Sequence, residues 1–154
     1  AREYNLDVKI ARIFNTYGPR MRRCDGRAIP NFINQIIEGK NLTVYGDGNQ
    51  TRSFCYVDDL IDGLYKLLIS DCKKPVNLGN PVENSINNLA NLCYKLFDSK
   101  KNIIYKELPI DDPVRRKPNI DLAISKLNWE PKINLKVGLA KTYNYFIKDY
   151  NNNS

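Results

Sequence analysis

The chain contains no histidine in 154 residues. That absence removes Ser-His-Asp and Cys-His hydrolysis, and every metal site built on imidazole, from the residues present. Cysteine is sparse: Cys24, Cys55, Cys72 and Cys93 lie far apart with no C-x-x-C pair. This excludes a disulfide scaffold and predicts reduced, mostly buried thiols, and no metal site is expected. No apolar run has the length to cross a bilayer, and no charged-then-apolar leader opens the chain. Methionine occurs once, at Met21, and the first residue is Ala1, so the polypeptide reads as part of something longer. A formal net charge of +7 points to anionic partners. There is, however, no long block of like charge and no zinc-finger or RNA-recognition signature, so nucleic acid is not the expected partner. The densest basic cluster, Arg115-Arg116-Lys117, suits nucleic acid, a phosphate ligand or plain solvation.

What is present is ordinary for one soluble domain with a real core: 42% hydrophobic and 27% charged residues. Residues 1–150 read as that domain and the Asn-rich end, Asn151 to Ser154, as a disordered tail. Asp7 to Phe14 carries Val8, Ile10 and Ile13 in a pattern that predicts a strand entering a core, followed by the turn Asn15-Thr16-Tyr17-Gly18-Pro19. Asn15 then stands beyond the carboxyl end of a strand, where α/β sheets gather ligands, or serves only as a turn former.

Ile29, Phe32, Ile33, Ile36 and Ile37 predict a helix over Ala28 to Glu38 that Gly39 ends, with Arg27 at its start. Arg27 at that position would reinforce an anion site. Ser53 to Val57 reads as a strand. Asp58 caps the helix that follows to about Ser70, with Leu60, Ile61, Leu64, Leu67 and Leu68 on its apolar face. Pro75 to Pro81 gives a strand and turn, Ser85 starts another helix, and Ile103 to Leu108 alternates as a strand. Asp121 to Leu127, capped by Asn119 or Asp121, and Leu135 to Tyr150 are the last helices. Strands alternating with helices predict an α/β fold.

The stretch Leu42 to Phe54 organises the rest. It runs from a β-prone segment through Gly46-Asp47-Gly48, where backbone can approach a ligand closely, to Arg52, suited to bidentate phosphate contact. A glycine-rich hairpin turn would look the same.

Taken together, Ala11 to Met21, Asp25-Gly26-Arg27, Leu42 to Phe54, Asn77-Leu78-Gly79-Asn80-Pro81, Arg116-Lys117-Pro118 and Trp129-Glu130-Pro131 resemble the C-terminal half of the UDP-glucuronic acid decarboxylases. These are extended short-chain dehydrogenases/reductases, and the resemblance runs from about Asp7 to Phe146. It implies a Rossmann-type NAD fold whose last strands lie here together with most of a small sugar-nucleotide lobe.

The implied reaction oxidises C4 of UDP-glucuronate with NAD, releases carbon dioxide from the β-keto acid and reduces the product to UDP-xylose. Of the residues, the resemblance implies that Asn15 and the segment holding Thr43, Val44, Tyr45 and Arg52 bind the UDP-sugar. It also implies that Thr16 and Arg27 lie near NAD, and that Arg116 corresponds to the arginine assigned as proton donor. A guanidinium is a poor acid, so Arg116 is read first as an electrostatic partner of a carboxylate, enolate or phosphate. The resemblance further implies a homodimer for the full-length protein. It leaves the compartment between the cytoplasm, which is favoured, and the Golgi lumen.

Two essentials of that chemistry are missing. Thr51 stands where a third glycine would complete a Gly-rich pyrophosphate turn, and no tyrosine is followed four residues later by lysine. The chain alone is therefore expected to be inactive. Related sugar-nucleotide dehydratases and epimerases are the alternative; dehydratases typically follow the arginine with Asp-Trp, where this chain has Ser53-Phe54. A non-catalytic nucleotide-sugar module is another. Departures from the pattern at Asn119 and at Asn87-Asn88 are expected to lie away from the site.

Overall fold

The computed structural model of the chain describes residues 4, 6–98, 102–107 and 115–152, with Arg115 and Arg116 described by their backbone alone. β1 (Ala11–Ile13) pairs in parallel with β6 (Val76–Leu78), Ala11 against Val76. Against this pair pack α2 (Val57–Ile69) and α4 (Asp121–Leu127), closing a core of Cys55, Leu60, Leu67, Leu78, Ala123 and Trp129.

A second parallel pair, β3 (Leu42–Tyr45) with β8 (Ile103–Lys106), meets α1 (Ala28–Ile37) and α3 (Ile86–Leu96). The long α5 (Leu135–Asn152) packs on both of those helices. Here the core includes Tyr17, Phe32, Leu42, Val44, Leu89, Leu139 and Phe146. The mixture of parallel strands and covering helices is the α/β class expected.

Two small sheets connect these parts. β2 (Thr16–Tyr17) pairs in parallel with β5 (Cys55–Tyr56). β4 (Thr51–Ser53) is central in a three-stranded sheet between β7 (Glu83–Ser85), antiparallel to it, and β9 (Arg115–Arg116), parallel to it.

Local chemistry explains the helix ends. Gly39, at φ +64°, closes α1: its N–H donates to Ile36 O (3.0 Å) and the Lys40 N–H to Gln35 O (2.7 Å), the paired bonds of a left-handed helix terminus. Ser85 caps α3, its hydroxyl accepting from Asn88 N at 3.0 Å. Asn119 Oδ1 accepts from Asp121 N (2.9 Å) at the start of α4, and Asn128, at φ 47°, ends it.

Several expectations need correction. The N-cap of α2 is Tyr56, not Asp58; Asp58 and Asp59 lie in the first turn, where their charge complements the helix dipole. Leu60 and Leu67 of α2 are buried, but Ile61 (58% exposed) and Leu68 (68%) face outward with Tyr65 and Ile69. Helical spacing found two apolar sides, and only one meets a neighbour among the described residues. Val8, Ile10 and Ile13 do not enter a core either: their side chains stay exposed, because no described element covers that face. The thiols are all reduced, but only Cys55 and Cys93 are buried; Cys24 is exposed and Cys72 partly so. α5 continues through Asn151 and Asn152, two residues into the segment read as a tail.

Candidate functional site

The turn after β3 has a defined build. Gly46 and Gly48 take φ values of +69° and +74°, open to glycine without strain. Gly46 N–H donates to Lys106 O at 2.8 Å, tying the turn to β8. The Asp47 carboxylate accepts from Asn49 N and from Asn49 Nδ2, both at 2.9 Å. These bonds hold its pKa below the usual aspartate value, so it is an anion at neutral pH. Gln50 Nε2 closes the turn on Tyr45 O at 2.7 Å.

The first turn of α3 docks on the same segment. Ile86 N–H donates to Gln50 O (3.2 Å) and Asn87 N–H to Gly48 O (3.0 Å). Two donors that could have met an anion at this helix N-terminus therefore hold the loop instead. Asn87 also donates through Nδ2 to Asp47 O at 2.8 Å, so this departure from the family pattern lies against the site and not away from it.

Beyond the turn comes the central strand β4. Arg52 is 8% exposed, and its Nη1 donates to Thr51 O at 2.8 Å. Thr51 Oγ1 donates to Glu83 Oε1 of β7 at 2.8 Å. The β4–β9 register sets Arg52 directly beside Arg116, a separation of about 4.8 Å between neighbouring strands. Sequence positions 52 and 116 are thus brought together by two residues of parallel pairing. Neither β7 nor β9 is foreshadowed in the sequence, since Glu83-Asn84-Ser85 and Arg115-Arg116 show no alternation.

The other predicted residues divide. Val44 is fully buried in the core, so it can offer a ligand only its main chain. Thr43 is engaged by Gln35 of α1: its N–H donates to Gln35 Oε1 (3.0 Å) and its hydroxyl accepts from Gln35 Nε2 (3.1 Å). Tyr45 is exposed at the strand end.

Asn15 follows β1 and its carbonyl accepts from Cys55 N at 2.9 Å, which places it at the chain segment leaving β4. Thr16 donates its hydroxyl to Phe14 O at 2.9 Å, and Arg27, the N-cap of α1, is held by Asp25 at 2.8 Å. Of the predicted residues, Arg52 thus lies in register with position 116, and Asn15 is bonded to Cys55, three residues past Arg52. Thr16 and Arg27 have their polar groups engaged locally. A concavity of about 720 Å³ lies between Asn80, Lys117, Asn119, Glu130 and Asn134; of the predicted site residues with described side chains, none lines it.

The described residues carry no dinucleotide cradle. A Cβ on Gly48 would meet the Asn87 side chain at 2.1 Å, so on its α3 side the close approach at this glycine is to a protein side chain. The turn leads into β4, where a dinucleotide turn opens a helix. Nor is there an obvious proton-transfer group among the described residues. Burial pushes the Tyr17 hydroxyl well above the ordinary tyrosine value and the Cys55 thiol up to about 12. Among the described residues no cluster of His, Cys, Asp and Glu could hold a metal ion. No described helix is long and apolar enough to cross a membrane.

The model of the NAD dependent epimerase/dehydratase family matches residues 1–79. UDP-glucuronic acid decarboxylase 1 of Xenopus tropicalis is 49% identical over 148 residues, 96% of this chain and 35% of the relative. UDP-glucuronic acid decarboxylase 1 of Arabidopsis thaliana is 50% identical over 141 residues, 92% of this chain and 32% of the relative.

Among solved structures, UDP-glucose 4-epimerase of Thermotoga maritima with UDP-glucose superposes with TM-score 0.92 at 29% identity, covering 97% of this chain and 48% of the epimerase. UDP-glucuronic acid 4-epimerase of Bacillus cereus, in complex with UDP-glucuronic acid and NAD, gives 0.87 at 30%, with coverage of 97% and 48%. The chain spans about a third of these decarboxylases and about half of these epimerases.

Proposed function

We propose that this chain, which belongs to the NAD-dependent epimerase/dehydratase family, supplies the nucleotide-sugar-binding part of a UDP-glucuronate decarboxylase that forms UDP-xylose. The observation that carries the reading is the register of Arg52 with Arg116 at the edge of the turn 46–50. Two arginine positions in adjacent register suit a diphosphate or carboxylate, which guanidinium groups contact through charge-assisted hydrogen bonds. The diphosphate would lie along Arg52, with the turn's main chain beside it and Asn15 near the sugar. Arg116 is assigned to electrostatic stabilisation of the sugar carboxylate or of the charge left when carbon dioxide departs.

Redox chemistry lies with NAD, the cofactor in the family's description, for which the described residues supply no cradle; Thr16 and Arg27 border that region in this reading. A homodimeric, cytoplasmic full-length protein belongs to the same proposal. The identity of 49% and 50% with proteins named as decarboxylases favours this over an epimerase, where the likeness is 29% and 30%.

The test is calorimetric titration of the chain with UDP-glucuronate and UDP-glucose. UDP-glucuronate should bind more tightly. Arg52→Ala should weaken both by roughly 10- to 150-fold, the loss of a charge-assisted bond worth about 1.5–3 kcal/mol. Preference for UDP-glucose would favour the epimerase reading. Unchanged affinity in Arg52→Ala would remove Arg52 from the site.

A further inference from the structure

We infer that Asn87 is a positioning residue for the diphosphate-binding turn, setting the main chain of Asp47 and Gly48 against the arginine pair through a relay that starts at Tyr105. The inference rests on the proposed UDP-binding role of that turn. Three contacts converge on one residue in the first turn of α3. The Asn87 N–H donates to Gly48 O at 3.0 Å. Its Nδ2 donates to Asp47 O at 2.8 Å. Its Oδ1 accepts from the Tyr105 hydroxyl of β8 at 3.2 Å.

The Asp47 carbonyl can only accept, so it requires the amide nitrogen on its side; Oδ1 is left facing Tyr105, whose hydroxyl donates to it and holds the amide in place. Two consecutive carbonyls, those of Asp47 and Gly48, are thereby pulled toward α3. A peptide unit is planar, so drawing a carbonyl to one side turns the N–H of the next residue to the other. The amides of Gly48 and Asn49 are then oriented by Asn87. Asn49 N–H is caught by the Asp47 carboxylate at 2.9 Å, which completes the turn.

Gly48 belongs to the same device. Its φ of +74° suits glycine, and the place of a Cβ is taken by the Asn87 amide, with Oδ1 at 2.1 Å and Cγ at 2.5 Å. A side chain at 48 and the amide at 87 therefore exclude each other. β8 also anchors the start of the turn through Gly46 N to Lys106 O at 2.8 Å, so Tyr105 and Lys106 hold both of its sides.

The experiment compares the parent chain with Asn87→Ala, Tyr105→Phe and the double variant, by UDP titration and by amide hydrogen exchange of the ligand-free proteins. Asn87→Ala should weaken UDP binding by roughly five- to tenfold, the equivalent of one lost hydrogen bond. Tyr105→Phe should weaken it by about two- to threefold, and the double variant should match Asn87→Ala alone, since the hydroxyl acts only through the amide.

Exchange at Gly48 and Asn49 should accelerate in Asn87→Ala, while amides at Leu92 and Cys93 in the body of α3 keep the parent rate. A residue that only stabilised the helix would change all of these together and would leave UDP affinity alone. UDP binding within twofold of the parent in Asn87→Ala, additive effects of the two substitutions, or unchanged exchange at Gly48 and Asn49 would each overturn the inference. If the parent chain fails to bind UDP, the proposed function falls and this inference with it.

Discussion

Gly138→Ala sets two effects of known size against each other. Gly138 lies in the first turns of α5, where alanine is favoured over glycine by about 1 kcal/mol. Against that, a Cβ there would stand 2.1 Å from Tyr17 Oη, 2.7 Å from Tyr17 Cζ and 2.9 Å from Tyr56 Cδ2. Tyr17 cannot easily retreat. Its ring is packed edge-on against Phe54 (6.3 Å between centroids) and Tyr56 (5.6 Å), and its hydroxyl reaches toward Leu135 O at 3.5 Å.

Overpacking of a filled core costs about 1–3 kcal/mol, so the net change should be a loss of up to about 2 kcal/mol, or up to roughly 8 °C in Tm. Urea unfolding followed by fluorescence of the buried Trp129 would measure it. Adding Tyr17→Phe removes the atom at 2.1 Å and should restore at least half of the loss. Because Tyr17 continues β2 from Asn15 and Thr16, the shift should also weaken UDP-sugar binding. If Gly138→Ala proves more stable than the parent by about 1 kcal/mol, helix propensity has won and the packing argument is refuted.

Other expectations follow from single contacts. The Asp59 main-chain carbonyl accepts from Trp129 Nε1 at 2.9 Å, and its carboxylate Oδ2 accepts from Ile133 N at 2.9 Å, so the carboxylate anchors the segment that follows Trp129-Glu130-Pro131. Asp59→Ala should lower unfolding free energy by about 1.5–3 kcal/mol in urea, and Asp59→Asn, which keeps an acceptor oxygen, by clearly less. Burial raises the Cys55 and Cys93 thiols to about 12 from a reference near 9.0. The folded state then holds protons that the unfolded state releases, so the stabilisation is complete below pH 9 and is lost as pH rises toward 12. Stability should fall by about 1.4 kcal/mol per pH unit for each thiol over that window, and Cys93→Ala should flatten the slope. The outward stripe of Ile61, Tyr65, Leu68 and Ile69 should make the chain self-associate in light scattering, with Ile61→Lys and Leu68→Lys reducing it; a monodisperse monomer would count against this.

Helices were legible in the sequence where apolar spacing and an end signal agreed. Ala28–Ile37 with Gly39 and Asp121–Leu127 with Asn119 are examples. α2 was found but its buried side was not: Leu60, Ile61, Leu64, Leu67 and Leu68 span too much of the helix circumference for spacing to choose. That choice belongs to β1, β6 and α4, which meet α2 in space and not in sequence.

The turn and Arg52 could be read from Gly-Asp-Gly and the resemblance. The strand that brings residue 116 beside them could not, since two consecutive arginines carry no strand signal of their own. Asn87 was missed for a related reason. A polar residue in the first turn of a helix looks like a solvated one until its amide is seen between Tyr105 and Asp47.

The central claim, that a uridine-linked diphosphate is held where β4 and β9 run side by side, is tested most directly by a crystal structure of the chain soaked with UDP. The predicted result is diphosphate density within hydrogen-bond distance of the Arg52 guanidinium, with Arg116 on the same anion and the turn 46–50 alongside. UDP bound instead in the concavity between Asn80 and Asn134, with Arg52 contacting no phosphate, would contradict it.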